Sequence, residues 1–125
     1  MPRSSPKSES GRETAISLFS GVSVSIKCSG LIFIVDIDGT ICETINGDYA
    51  HSVPMKKRIK KINKLYDKYN EIIYFTARGT ETGKDWRKLT EKQFKEWGVL
   101  YDKLLFGKPY GDIYYDDRAV NAKFI

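Results

Sequence analysis

The sequence contains few cysteines and no long hydrophobic run. Its 125 residues include only Cys28 and Cys42, which are too few for a disulfide framework and lack the CxxC spacing of a metal-ligand pair. A reducing compartment is therefore expected, and we predict a cytoplasmic protein. The longest uninterrupted apolar run, residues 31–35, has five members, whereas a membrane helix needs about 20. The sequence thus predicts neither a membrane-spanning segment nor a membrane partner.

The charge is also modest and is not concentrated in one place. The net charge is +5, of which residues 1–30 contribute +2 and residues 31–125 contribute +3. This balance permits attraction to phosphates but lacks the clustered basic patch of a dedicated nucleic-acid binder. Hydrophobic residues make up 41% of the chain and charged residues 30%, as in ordinary folded proteins. A chain of this length has room for one core but not two.

The first thirty residues are rich in serine, and we predict that 1–30 form a largely disordered arm. A targeting peptide is disfavoured because Glu9 and Glu13 interrupt the basic start, serines interrupt the apolar stretch, and no small-residue cleavage site follows. Alternating apolar residues at 22–27 leave open an added edge strand.

From residue 31 onward, strand and helix patterns alternate. The β-branched and aromatic run at 31–35 predicts a central strand that is buried on both faces. Further strands are predicted at 71–75, 103–106 and 113–115. Helices are predicted over 54–69 and from a capping box at Thr90 and Gln93 to a stop at Gly98. This order predicts an α/β fold at 31–125, a small Rossmann-like three-layer domain with a mostly parallel sheet.

Polar side chains follow three of these strands. Because ligands of open α/β sheets bind beyond the carboxyl ends of the strands, we expect these side chains to share one rim. The predicted set is Asp36, Asp38, Thr76, Asp116 and Asp117. Four carboxylates at close range need a cation, and an all-oxygen site with open water positions suits Mg²⁺. Lys108, just after the third predicted strand, brings a fixed positive charge to the same place.

The motifs at these strand ends resemble those of the haloacid dehalogenase superfamily of phosphohydrolases. In order, they are the DIDGT run at 36–40, Thr76 in the FTAR run at 75–78, Lys108 in a GKP run, and the Asp116–Asp117 pair. The resemblance covers about 31–121. The run at 85–99 also resembles short bacterial and phage proteins described as capsule-biosynthesis phosphatases.

This resemblance implies a role for each matched residue. Asp36 is expected to be the nucleophile that forms an aspartyl phosphate, and Asp38 the general acid and base. Thr76 and Lys108 are expected to contact the phosphoryl group, beside Ala77 and Arg78 as further substrate contacts. The expected Mg²⁺ ligands are Asp36, the main-chain carbonyl of Asp38, and Asp117 or Asp116.

Members of the resembled superfamily often cover the site with a cap domain inserted after the first or second motif. The spacing of the motifs here leaves no room for such a domain. Asn46 and Gly47 predict the tip of a small flap hairpin between Ile41 and Val53. The connection at 107–112 is short for a crossover, since six extended residues span about 20 Å at most. We therefore expect the third strand to be short, displaced or absent. This expectation affects the position of Lys108 more than the positions of Asp36 and Asp38.

The sequence favours a Mg²⁺-dependent phosphomonoester hydrolase acting on a phosphorylated sugar or sugar acid. A polynucleotide 3'-phosphatase is the second hypothesis, because the 54–69 helix carries a lysine-rich face. A non-catalytic binding module with the same fold is the third. Self-association into a homo-oligomer remains open. His51 on the flap is interpreted as a surface histidine rather than a catalytic one.

Overall fold

The computed structural model of the protein describes residues 29–125. The predicted N-terminal arm, the optional strand at 22–27 and Cys28 lie outside this range, except that Ser29 and Gly30 are described. The elements in chain order are β1 (Ile32–Val35), β2 (Cys42–Glu43), β3 (Val53–Pro54), α1 (Lys56–Asp67), β4 (Glu71–Thr76), α2 (Arg87–Trp97) and β5 (Lys103–Phe106). Within residues 29–125, no helix has the length and apolar character needed to cross a bilayer.

Three parallel strands in the order β1-β4-β5 form the main sheet. Ile32 aligns with Glu71, and Ile73 aligns with Lys103, so the carboxyl ends of all three strands reach the same rim. The prediction of an α/β fold with a parallel sheet is therefore confirmed. The third strand occupies its predicted residues and is short, with four residues, but it is fully paired and so is neither displaced nor absent.

Two amphipathic helices connect these strands. Ile59 and Ile62 of α1 are buried on one face of the helix, as in an amphipathic helix that packs on a sheet. Helix α2 ends at Gly98, whose φ of 69° is the left-handed conformation of a helix stop. The predicted capping box was wrong. Helix α2 begins three residues before Thr90, so Thr90 is within the helix and not at its N-cap, and its side chain is buried.

Both helices pack against the same face of the sheet. The hydrophobic core joins residues of α1 and α2 to alternate residues of the strands, namely Ile59, Ile62, Phe94, Val35, Ile72, Tyr74 and Leu104. On the opposite face, Ile32, Ile34 and Leu105 are exposed. Residues 29–125 thus form two layers, and a third layer is not among them. The prediction that β1 is central and buried on both faces was wrong, since β1 is an edge strand of the described sheet.

A small flap follows β1. Strands β2 and β3 pair antiparallel, and the Asp48 amide closes the turn by donating to the Ile45 carbonyl at 3.0 Å. Asn46 and Gly47 have φ values of 52° and 72°, which is the conformation that a two-residue hairpin turn requires. The predicted flap hairpin is confirmed.

The segment after β5 does not form the predicted fourth strand. Residues 113–115 are exposed and pair with no strand of the described chain. Instead, the Tyr114 hydroxyl donates to the Pro109 carbonyl at 2.6 Å and accepts from the Gly111 amide, which curls the segment on itself. The connection at 107–112 was expected to be too short for a crossover between the third and fourth predicted strands. The structure forms the third strand but not the fourth.

Candidate functional site

Asp36 lies at the carboxyl end of β1, where the sequence predicts the reactive carboxylate. One carboxylate oxygen accepts a hydrogen bond from Lys108 Nζ at 3.2 Å, and the other accepts from the Thr40 hydroxyl at 3.3 Å. The Asp36 side chain is 33% exposed, so one side of the carboxylate remains open to a ligand. Gly39 follows with a φ of 84°, which lets the chain turn sharply beside this carboxylate.

Lys108 reaches the site because its backbone is fixed at the rim. Its amide donates to the Thr76 carbonyl at 3.1 Å, and its carbonyl accepts from the Thr80 hydroxyl at 2.8 Å. The ammonium group also lies 4.9 Å from the centre of the Tyr114 ring. Lys108 and Asp36, which are 72 residues apart in sequence, therefore form an ion pair.

Asp38 makes a different pairing, with Arg78. The guanidinium donates from Nε to one carboxylate oxygen and from an Nη to the other, both at 2.9 Å. Such a two-pronged contact fixes the orientation of a carboxylate. Burial raises the pKa of Asp38, but the hydrogen bonds and charge of Arg78 lower it by more, with help from Thr44, so the net pKa lies below its ordinary value.

Arg78 does not take the place predicted for it. Its side chain has no exposed surface, and its other Nη donates to Thr90 at 3.0 Å and to Gln93 at 2.7 Å. The prediction of Arg78 as a substrate contact is therefore corrected: its donors are directed to Asp38 and to α2. The physical reason is that a buried guanidinium needs a carboxylate and polar oxygens around it, and this fold supplies them.

The flap is tied to the same network. Thr44 donates to Asp38 at 2.6 Å and lies 2.5 Å from the Ser52 hydroxyl. The guanidinium of Arg78 also stacks 4.9 Å from the centre of the Tyr49 ring. Asp38 and Arg78 thus join the flap, the rim of the sheet and α2.

Thr76 and Ala77 lie at the rim beside Asp36. Thr76 is buried at the end of β4, and its hydroxyl oxygen accepts from the Arg78 amide at 3.1 Å. Ala77 follows at a half-buried position.

Asp116 and Asp117 are not brought to this rim. Both are exposed, and the Asp116 carboxylate accepts from the Arg118 amide two residues away. Among residues 29–125, no group of three or more acidic, histidine or cysteine side chains is arranged to hold a metal ion. Residues 29–125 therefore present Asp36 and Asp38 but not the predicted third carboxylate, and this donor set does not fit a complete Mg²⁺ site. The fourth strand that would carry it is not formed.

Two further side chains near the flap are placed clearly. His51 is exposed on the flap and pairs with Asp48 at 2.9 Å, in agreement with its interpretation as a surface histidine. Cys42 is buried beneath Asp38, and burial together with the Asp38 charge raises the pKa of its thiol to about 11. Cys42 is therefore a protonated thiol, not a nucleophile, at neutral pH.

Sequence reasoning missed the polar residues that surround Arg78. Thr90 and Gln93 lie three positions apart, which places them on one face of α2, and that face also carries Phe94. Polar residues on the buried face of an amphipathic helix indicate a buried hydrogen-bonding partner, and this signal was available in the sequence.

Comparison with known proteins gives a structural likeness but no family. No family model matches the chain, and no curated protein matches it. A crystal structure from Vibrio cholerae, described only as a structural-genomics target, is similar to it with 28% sequence identity and a TM-score of 0.68. The match covers 75% of this chain and 85% of that one, and it supports the fold described above.

Proposed function

We propose that this protein is a phosphomonoester hydrolase that uses Mg²⁺ and forms a covalent phosphate on Asp36. The observation that carries the proposal is the Asp36 carboxylate, which is partly exposed at the strand rim between the Lys108 ammonium and the Thr40 hydroxyl. A carboxylate held between donors, with one open side, is suited to attack an electrophile.

In the first step, an Asp36 oxygen attacks phosphorus, the bond from phosphorus to the leaving oxygen breaks, and the leaving oxygen takes a proton from solvent water. Lys108 offsets the negative charge that the incoming phosphate brings, and the Thr76 hydroxyl donates to a phosphoryl oxygen. In the second step, water attacks the phosphorus of the aspartyl phosphate. This releases inorganic phosphate and restores the Asp36 carboxylate.

Asp38 is the proton-handling group in this proposal. Because the Arg78 pair keeps its pKa below the ordinary value, Asp38 is a carboxylate at neutral pH. In that state it can take a proton from the attacking water in the second step, and the proton then passes to solvent. We favour a phosphorylated sugar or sugar acid as the substrate.

The test is hydrolysis of 4-nitrophenyl phosphate by the wild type and by Asp36→Asn, each with Mg²⁺ and with chelator. We expect Asp36→Asn to lose about a thousandfold or more in kcat/KM, because the nucleophile is gone. Asp67→Asn, which removes an exposed carboxylate at the end of α1, is the matched control and should be unchanged.

A substrate panel separates the alternatives. It contains anomeric and primary sugar phosphates, glycerol phosphate and a 3'-phosphorylated oligonucleotide. The lysine-rich exposed face of α1 favours the last of these as the second candidate, and oligonucleotide turnover that falls steeply with salt would support it. A folded wild type that hydrolyses nothing in the panel with Mg²⁺ would overturn the proposal that the protein is a phosphatase. It would favour a non-catalytic binding module.

A further inference from the structure

The outer edge of β1 and the segment at 113–117 are two unpaired features on one chain. Within residues 29–125, β1 pairs only with β4, so its other edge presents free backbone donors and acceptors beside the Asp36 rim. The sequence of 113–115 is typical of a strand, yet Ile113 is 74% exposed and Tyr115 is 97% exposed. The two features have the chemistry of adjacent strands but are not paired.

The connection within one chain is too short to pair them in parallel. Lys108 is anchored at the rim through its amide, its carbonyl and its side chain. Five extended steps from Lys108 to Ile113 span about 17 Å at most. Lys108 continues the track of β5, since its amide donates to the Thr76 carbonyl of β4. A parallel strand beyond β1 therefore starts about 14 Å across the sheet and about 13 Å back from the rim. The direct line of about 19 Å already exceeds the length of the connection.

The position of Tyr114 gives the same result independently. Its ring already lies at the rim, 4.9 Å from the Lys108 ammonium. In a parallel strand that delivers Asp116 to the rim, Tyr114 would have to lie about 7 Å back from it. An antiparallel strand is within reach but would carry Asp116 and Asp117 toward the opposite edge of the sheet, away from Asp36.

We propose that residues 113–117 of one copy pair with the outer edge of β1 in a second copy, reciprocally, and that the partner's Asp116 or Asp117 completes the carboxylate set around Asp36. This proposal rests on the proposed function for the role of the carboxylates, but the strand exchange itself does not. A short connection that cannot close within one chain favours exchange between two copies, and reciprocal exchange closes into a two-fold dimer.

The exchange explains three observations together. It covers the edge of β1 that residues 29–125 leave unpaired, it uses a strand-forming segment whose Ile113 and Tyr115 are exposed, and it supplies the third carboxylate that the described residues do not bring to the rim. Gly107, Pro109 and Gly111 form the hinge through which the segment leaves its own chain.

The first test measures mass in solution by light scattering and needs no activity. The full chain should be a dimer of twice 14.3 kDa, and Tyr115→Pro should be a monomer, because proline cannot donate to a strand ladder. Val120→Pro lies in the same exposed tail outside the segment and is the matched control, which should remain a dimer. A wild type that is monomeric at about 100 µM, or a Tyr115→Pro variant that stays dimeric, would overturn the exchange.

The second test mixes two inactive proteins, Asp36→Asn and the double variant Asp116→Asn, Asp117→Asn, after joint unfolding and refolding. In an exchanged dimer, half of the dimers are mixed and each has one intact site. About one quarter of the wild-type activity should therefore return. Recovery of no activity from an active wild type shows that both carboxylates act in one chain and overturns the proposal.

The outcomes separate this inference from the proposed function. A dimer that Tyr115→Pro dissociates but that hydrolyses no phosphoester overturns the function and leaves the exchange in place. An active monomer overturns the exchange and leaves the function in place. Mg²⁺ titration by calorimetry gives a readout independent of turnover, and the Tyr115→Pro monomer should bind at least tenfold more weakly than the dimer.

Discussion

Arg78 binds Asp38 through two parallel hydrogen bonds, both 2.9 Å long, from a side chain with no exposed surface. The two residues lie 40 positions apart, and their contact connects the turn after β1 to the loop after β4. The chemistry of Asp38 and the stability of the rim therefore depend on the same ion pair.

The first prediction concerns the cost of breaking that pair. Asp38→Ala leaves the Arg78 guanidinium buried without its carboxylate, and we expect the free energy of unfolding to fall by about 3 kcal/mol. Urea denaturation measures it. Asp36→Asn is the comparison, because Asp36 is more exposed, and it should change stability by less than about 1 kcal/mol. Equal losses in the two variants would contradict the buried pairing.

A second prediction is the pH dependence of stability. Asp38 holds its proton less tightly in the folded protein than in the unfolded chain, where the pKa has its ordinary value of 3.8. Stability therefore rises with pH between the two pKa values. Its contribution is fully present above about pH 5 and is lost as the pH falls through 3.8 toward the folded value. The urea midpoint of the wild type should fall more steeply between pH 5 and pH 3 than that of Asp38→Asn, and parallel curves would contradict this assignment.

Tyr74 supports a third prediction. Its hydroxyl is buried and has no hydrogen-bond partner among the described residues, and burial raises its pKa. Tyr74→Phe removes an unsatisfied polar atom and keeps the ring contact with Phe94, so the free energy of unfolding should rise by about 1 kcal/mol. Tyr69→Phe, at an exposed position, should have no effect. Thermal unfolding of both variants tests the prediction, which a destabilised Tyr74→Phe would contradict.

The loop between β4 and α2 gives a fourth prediction. A Cβ on Gly79 would lie 2.1 Å from the Lys84 carbonyl oxygen, at a φ of 80°. Gly83 has a similar φ of 77° but open space around it. Gly83→Ala should cost only the backbone strain, about 1–2 kcal/mol, whereas Gly79→Ala should cost about 3 kcal/mol or more. Denaturant midpoints that are equal in the two variants would show that the loop adapts freely.

A fifth prediction concerns the reactivity of Cys42. With its pKa raised to about 11, the thiol is almost entirely protonated at neutral pH. In a Cys28→Ser background, iodoacetamide at pH 7 should leave the native protein unlabelled over an hour and label it fully in urea. Mass spectrometry reads both states, and rapid labelling of the native protein would show that the flap opens.

Much of the fold was predictable because its signals are local. Strand β5 at Lys103–Phe106 has the predicted bounds, β4 extends its predicted range by Thr76 alone, and the Asn46–Gly47 turn requires conformations that few other residues adopt. The expected roles of Asp36 and Asp38 remain predictions, but their position at the end of β1 follows directly from the apolar run that precedes them.

The features that were wrong depend on distant partners. Residues 113–115 satisfy every local criterion for a strand, yet the anchoring of Lys108 decides what they can reach. Arg78 looks like an exposed basic residue beside a binding motif, and although Thr90 and Gln93 indicate a buried polar partner for α2, the sequence does not identify Arg78 as that partner. The exposure of Ile34 likewise depends on which face the helices cover, and periodicity does not report this.

The register of the sheet also affects the order of events during synthesis. Val35 pairs with Tyr74, so β1 leaves the ribosome 39 residues before the strand that will hold it. At ordinary rates of translation this interval lasts about 2–8 s. During that time the apolar strand β1 has unpaired backbone groups and can bind chaperones or other nascent chains. The speed of elongation across α1 sets the length of this interval.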